Sequence, residues 1–233
     1  MPDNSDLLEK LTSARTTRRR FINRIGAAGL GVAGLGLLGA NRSAAASASF
    51  MGDTDELDIT DTNILNFALN TEYLEAEYYL RAVFGRGLSP DEITGTGMLG
   101  PVIGGEAVPF RSEDIRQFGE EIAMDEEAHV KFLRRVLGDD RVARPEIDLD
   151  RSFLELAIAA GLPESFDPFE DEISFLLGAF IFEDVGVTAY KGAARFIENK
   201  NILDSAAGIL AVEAYHASNI RTTLFELNRL HDA

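Results

Sequence analysis

Four long stretches of the chain place apolar residues three and four positions apart, the spacing that gathers them on one face of an α-helix. From Asp61 to Gly85 the apolar arc is Leu65, Ala68, Leu69, Ala76, Tyr79 and Val83, and Gly85, Gly87 and Pro90 end it. A second helix is predicted from about Arg111 to Leu137, with Glu113 and Asp114 beside its free amides, Arg134 and Arg135 near its last carbonyls, and Gly138 as its stop. The run Asp167-Pro168-Phe169-Glu170 supplies a cap, a proline at the first helical position and an acid, which predicts a third helix reaching about Asn199. The fourth follows closely, with Asn201 and Asp204 as cap and third position, and extends to about Arg229.

The connections are unequal. Residues 139–166 contain a shorter apolar helix, Arg151 to Ala160, closed by Gly161 and Pro163, which reads as a crossover. The stretch 86–110 carries six glycines and reads as a folded-over loop or an entrance. No segment reads as a strand. The predicted fold class is all-α, a four-helix bundle of the ferritin-like type with the long crossover between helices 2 and 3.

The amino-terminal residues follow a different rule. Thr17 to Asn23 reads TRRRFIN, followed by the small and weakly apolar run IGAAGLGVAGLGLLGA and then by SAAASASF. This resembles a twin-arginine export signal, with Arg18 and Arg19 as the pair and cleavage at Ala46-Ser47-Ala48. The apolar run is short and glycine-rich for a membrane span. The expected division is a leader over 1–48 and one helical domain over 49–233, with the twin-arginine translocation machinery as a partner and a periplasmic or extracellular destination.

Composition narrows the chemistry. A formal charge of -17 disfavours nucleic acid and anionic membrane surfaces as partners. The chain has no cysteine, so disulfides, thiolate ligands and a cysteine nucleophile are excluded. Any metal must then be held by carboxylate and imidazole, donors that favour iron, manganese or zinc.

Those donors sit where water should not be. Glu126 falls inside the apolar arc of Ile115, Gly119, Ile122, Val130, Leu133 and Leu137, and His129 lies on the edge of that face. The fourth helix repeats the arrangement with Glu213, inside the arc of Ala206, Ile209, Ala217 and Ile220, and His216 three residues on. The first and third helices each supply one acid in an apolar stripe, Glu72 and Glu183, and each acid has a tyrosine seven residues later, Tyr79 and Tyr190. The chain therefore reads as a pseudo-repeat, each half giving one Glu helix and one E-x-x-H helix.

A lone E-x-x-H is often a solvated pair, and a lone glutamate in a stripe is often a boundary residue. All six together, ordered single, pair, single, pair, point to a metal site. Four buried carboxylates would repel one another and resist desolvation, whereas two divalent cations balance their charge and two neutral imidazoles complete the set. The tyrosines are core residues bonded to ligand carboxylates or electron donors to an oxidising metal. Glu75 and Glu77 flank the first-helix face, with Glu75 a candidate outer residue of the site. Asp125 and Glu127 are expected to face solvent or a neighbouring chain, so a homodimer stands among the expectations, and Asp184 is a candidate to hold a histidine's outer nitrogen.

The runs NFALNTEYLEAEYYLRAVFG, FGEEIAMDEEAHVKFLRRVLG, FEDVGVTAYKGAA and ILAVEAYHASNIRTTL resemble exported bacterial ferritin-like domain proteins, some described as desiccation-related. The resemblance places Glu72, Glu126, His129, Glu183, Glu213 and His216 where the di-iron carboxylate superfamily has its ligands, and Tyr79 where a tyrosine lies near the ferritin oxidation centre. It implies a ferritin-like fold and a di-metal centre, without implying a substrate or an iron-storage shell. Peroxide or dioxygen is the expected small substrate, with peroxide reduction for iron and catalase-like disproportionation for manganese. The rival expectations are a non-enzymatic stress-protection protein and a metal-binding protein without turnover.

Overall fold

The computed structural model describes residues 59–160 and 166–231, so the leader expected over 1–48 lies outside the described residues, as do the helix stops expected at Gly161 and Pro163. The elements in chain order are α1 (Asp61–Phe84), β1 (Val102–Ile103), α2 (Glu113–Leu137), β2 (Ile147–Asp148), α3 (Leu149–Ala160), α4 (Glu172–Ala193) and α5 (Lys200–His231). Helix α1 packs most closely on α2 and α4 on α5, and the crossover carrying α3 joins the two pairs.

Local chemistry sets the helix ends. Thr60 caps α1 by accepting from the Asn63 amide at 3.2 Å, and Gly85 ends it with φ 64°, a left-handed conformation that favours glycine. Ser112 caps α2, accepting from the Ile115 amide at 3.3 Å. Two predicted starts move. Asp171, not Asp167, caps α4, its Oδ1 accepting from the Ile173 and Ser174 amides at 3.1 and 2.8 Å, while Asp167 closes a preceding turn on Phe169 N at 2.9 Å. Asn199, not Asn201, opens α5, its side-chain oxygen accepting from the Asn201 amide at 2.9 Å. In each case an Asp or Asn a few residues away offers equivalent cap chemistry, and the packing of the turn selects between them.

Two helix termini are tied across the bundle. Asp61 accepts from the Glu198 and Asn199 amides at 2.8 and 2.9 Å, fixing the α4–α5 turn against the start of α1. Glu172 accepts from the Arg111 and Ser112 amides at 2.7 and 2.8 Å, fixing the start of α2 against α4.

The glycine-rich stretch is zipped to the crossover rather than free. Strands β1 and β2 pair in parallel, Val102 opposite Ile147, and Thr96 bridges Val142. These short pairings correct the expectation of no strand. Gly100 explains part of the composition, because a Cβ there would collide with the backbone of Pro145 and Glu146. Arg134 of α2 anchors the same loop, donating to the Asp91 and Thr94 carbonyls at 2.9 and 2.7 Å. Glu77, expected at the flank of its helix, is instead fully buried between Arg81, at 3.0 Å, and Arg144 of the crossover.

The core is aromatic below the buried acids. Tyr78 stands among Phe153, Phe169, Phe175 and Phe182, with ring centroids 5.0 to 5.7 Å away. Its hydroxyl donates to the Phe175 carbonyl at 2.8 Å. Phe153 brings α3 into this cluster, which locks the crossover onto α1 and α4. Helix α4 is long and apolar enough to cross a membrane by composition, and its apolarity matches its place inside the bundle.

Candidate metal centre

The six donors named from the pattern meet at mid-bundle. Glu72, Glu126, Glu183, Glu213 and His216 have no solvent exposure and His129 has 8%. They form two groups sharing Glu126, one of Glu72, Glu126, His129 and Glu213 and the other of Glu126, Glu183 and His216, with one donor atom from each residue within 4.8 Å of the others.

The two halves interlock. His129 Nδ1 lies 3.2 Å from Glu72 Oε2, 3.1 Å from Glu126 Oε2 and 3.6 Å from Glu213 Oε1. His216 Nδ1 lies 3.3 Å from Glu126 Oε1 and 3.3 Å from Glu183 Oε2. Three carboxylates around one imidazole nitrogen are more than one proton can serve, whereas a cation at their centre would contact all four. The tyrosines cross over in the same way. Tyr79 donates to Glu183 Oε1 at 2.6 Å, and Tyr190 donates to Glu72 Oε1. Each tyrosine thus orients the acid of the opposite half.

Several inward atoms have no hydrogen-bond partner among the described residues. They are Glu126 Oε1, Glu183 Oε2, both oxygens of Glu213, Glu75 Oε2 and His216 Nδ1. Buried donors and acceptors are normally satisfied, so this concentration at one place fits a site built for cations. His216 shows how such a ligand is oriented. Its Nε2 lies 3.2 Å from Asp125 Oδ2, an acceptor that holds a proton on Nε2, so that Nδ1 would be the nitrogen left to bind a cation once its own proton has gone. Asp125 keeps 42% side-chain exposure, so it faces solvent as expected and also reaches His216. Asp184 takes no part, being paired with Arg221 of α5. Phase reasoning on one helix missed both assignments because they are made between helices.

Protonation in the metal-free cluster follows burial and contact. Burial raises Glu72, the nearby Glu126 anion adds to it, and its pKa reaches about 8 despite His129. Burial opposes charge on Glu126 too, but contact with His129 and His216 holds it well below the usual carboxylate range. Desolvation pulls both rings down, and the carboxylates outweigh it, lifting His129 to about 11 and His216 to about 10. Glu213 is pushed well above the ordinary value by burial and by Glu126. Without cations the cluster therefore holds extra protons.

A narrow apolar cleft with a cavity volume of about 10 Å³ lies between α1, α4 and α5, lined by Leu65, Phe67, Ala68, Ala189, Tyr190 and Ile197 among others. It reaches the ring of Tyr190, whose hydroxyl rests on Glu72.

A ferritin-like domain profile matches residues 60–226, and the chain belongs to that family. Over 186 residues it is 33% identical to the desiccation-related protein PCC13-62 of Craterostigma plantagineum, a match covering 77% of this chain and 58% of that protein. Over 183 residues it is 28% identical to the ferritin-like catalase Nec2 of Nesocodon mauritianus, covering 75% and 56% respectively. The chain thus spans a little over half the length of these curated relatives. No solved structure matches. Fold, family and donor set together define a ferritin-like protein with a candidate di-metal carboxylate and histidine site suited to iron or manganese.

Proposed function

We propose that this protein holds two divalent iron or manganese ions and reacts with peroxide or dioxygen in defence against oxidative or drying stress. The observation that carries the reading is the convergence of four glutamates and two histidines, all buried, with inward oxygens that no donor among the described residues satisfies. Glu72, His129 and Glu213 would serve one ion, Glu183 and His216 the other, and Glu126 belongs to both groups. The pair of ions, when bound, supplies a Lewis-acidic and redox-active place for an O–O bond to react.

The chain's own residues do the rest. Glu126 keeps its negative charge between the two imidazoles, Asp125 sets the His216 tautomer, and Tyr79 and Tyr190 hold the outer acids in place. The cleft at Tyr190 is apolar and has room for about one water-sized molecule. The relative described as a ferritin-like catalase supports peroxide as the substrate.

The arginine pair Arg18-Arg19 and the run behind it support export by the twin-arginine route. That route carries folded proteins, so metal could be loaded before export and the choice of metal kept. A second reading is favoured by the relative described as desiccation-related: an acidic helical protein whose metals hold the bundle together without turnover.

Elemental analysis of the protein from its host, coupled to an assay of oxygen release from peroxide, separates these. Two irons or manganeses per chain with turnover supports the first reading. Two metals without turnover supports the second, and no transition metal removes both.

A further inference from the structure

The six donors do not exhaust the buried acids of the centre. Glu75 stands three residues after Glu72 on the same helix face and has only 2% exposure. Its Oε2 has no hydrogen-bond partner, and the charged groups acting on it are Glu126, Glu72 and Glu183, all of its own sign. Glu77, two residues away, shows what this fold does with a buried acid that has a structural role: it pairs it with two arginines. Among the described residues no such cation is paired with Glu75.

The opposite half of the pseudo-repeat makes room for it. Three residues after Glu183, where symmetry would place a counterpart of Glu75, stands Gly186. A Cβ there would collide with Glu213 Oε2 and come within 3.2 Å of Glu75 Oε1. The missing side chain is therefore space occupied by two carboxylates of other helices. Glu75 and Glu213 are neighbours at this point, and neither has a protein donor for its Oε2.

We propose that Glu75 is a seventh metal-binding side chain, entering on the Glu213 side of the centre through the room left by Gly186. This rests on the di-metal reading above. The arrangement breaks the symmetry between the halves, because one face of the site carries an acid and its mirror position carries nothing. Five carboxylates balance one divalent and one trivalent ion, where the four of the symmetric set balance two divalent ions. Glu75 thus favours the more oxidised state of the pair.

The test uses the metal-free full chain titrated with Co(II) by calorimetry and visible absorption, in the wild type and in Glu75→Gln, which keeps shape and loses charge. The wild type is expected to take two Co(II) per chain. Glu75→Gln should keep the helical circular dichroism and bind one of the two ions at least tenfold more weakly, with a changed d–d spectrum. Wild-type affinities and spectrum in the variant would overturn the proposal while leaving the di-metal centre standing. A wild type that binds no Co(II), Fe(II) or Mn(II) would remove the di-metal reading itself. Independently of any variant, a crystal structure of the Co(II)-loaded wild type should show a Glu75 oxygen about 2.2 Å from an ion. A Glu75 hydrogen-bonded to Glu213 and touching no ion would overturn it.

Discussion

Tyr79 donates its hydroxyl hydrogen to Glu183, 104 residues away, at 2.6 Å, although the acid on its own helix face is Glu72. Tyr190 does the reverse, reaching from the Glu183 helix to Glu72. The two halves of the bundle therefore hold each other's outer acids.

Tyr79→Phe should keep two metals per chain while leaving Glu183 Oε1 without its donor. An unsatisfied buried acceptor costs about 1–3 kcal/mol, and loss of such an orienting partner weakens metal binding roughly 10–100-fold. The weakening should fall on one of two binding steps in calorimetry. If Tyr79 is also an electron donor, a tyrosyl signal seen in the wild type after peroxide treatment should vanish in the variant.

Asp125→Asn should act through His216 alone. The amide can present either a donor or an acceptor to Nε2, so the ring loses the partner that fixes its tautomer. One metal is expected to bind about 10–100-fold more weakly, with the helical content unchanged. Equal affinity in Asp125→Asn and wild type would show that the carboxylate does not orient the ring.

Function and stability should oppose each other at Glu213. In the metal-free protein this acid is fully buried with neither oxygen satisfied, so Glu213→Leu is expected to raise the thermal midpoint by a few degrees, at about 2–4 °C per kcal/mol for a chain of this size. The same change should abolish stoichiometric binding of two metals, as should Glu126→Ala. Differential scanning fluorimetry with and without Mn(II) reads both effects. A wild type stabilised by metal and a Glu213→Leu protein indifferent to it is the expected pair.

The metal-free protein should lose stability as pH rises. Glu72 has a folded pKa of about 8 against an ordinary 4.5, so the folded state holds the extra proton between those values and its stabilisation fades across that window. His129 and His216, at about 11 and 10 against 6.5, add stability that is complete below about 6.5 and is lost as pH rises through 10 to 11. Glu126, depressed, works the other way, but only below 4.5. Urea midpoints of the metal-free protein should accordingly fall from about pH 5 to pH 10. Metal affinity should rise with pH, since these protons must leave for metal to bind. A flat urea profile would show that the cluster's protons are not taken up on folding.

Phe153→Ala tests the crossover. This ring has no exposure and touches Tyr78, Phe169 and Phe182, so its removal should cost about 3–5 kcal/mol. Because Tyr78 neighbours Tyr79 in the same cluster, the loss is expected to weaken metal binding as well, which a Leu at the same position should largely restore.

The sequence by itself determined the helices and the faces they bury. Glu72, Glu126, Glu183 and Glu213 were legible because a helix repeats every 3.6 residues, and an acid inside an apolar arc of that period must point inward whatever the partner is. The E-x-x-H spacing likewise carried both histidines to the same face. Periodicity gives an angle around one helix axis, and it gives nothing about depth along that axis or rotation against a neighbour. Only the tertiary structure could therefore decide that Asp125 reaches His216, that Asp184 turns to Arg221 instead, and that each tyrosine serves the other half's acid. Cap positions slipped by a few residues, from Asp167 to Asp171 and from Asn201 to Asn199, since neighbouring side chains of equal capping strength are separated only by how the turn packs. Glu75 and Glu77 looked alike at the flank of one face, and both are buried because α1 is covered on more than one side. What distinguishes them is the neighbour each meets, arginines from α1 and the crossover for Glu77 and a glycine on α4 for Glu75, and that is set by the packing of elements far apart in the chain.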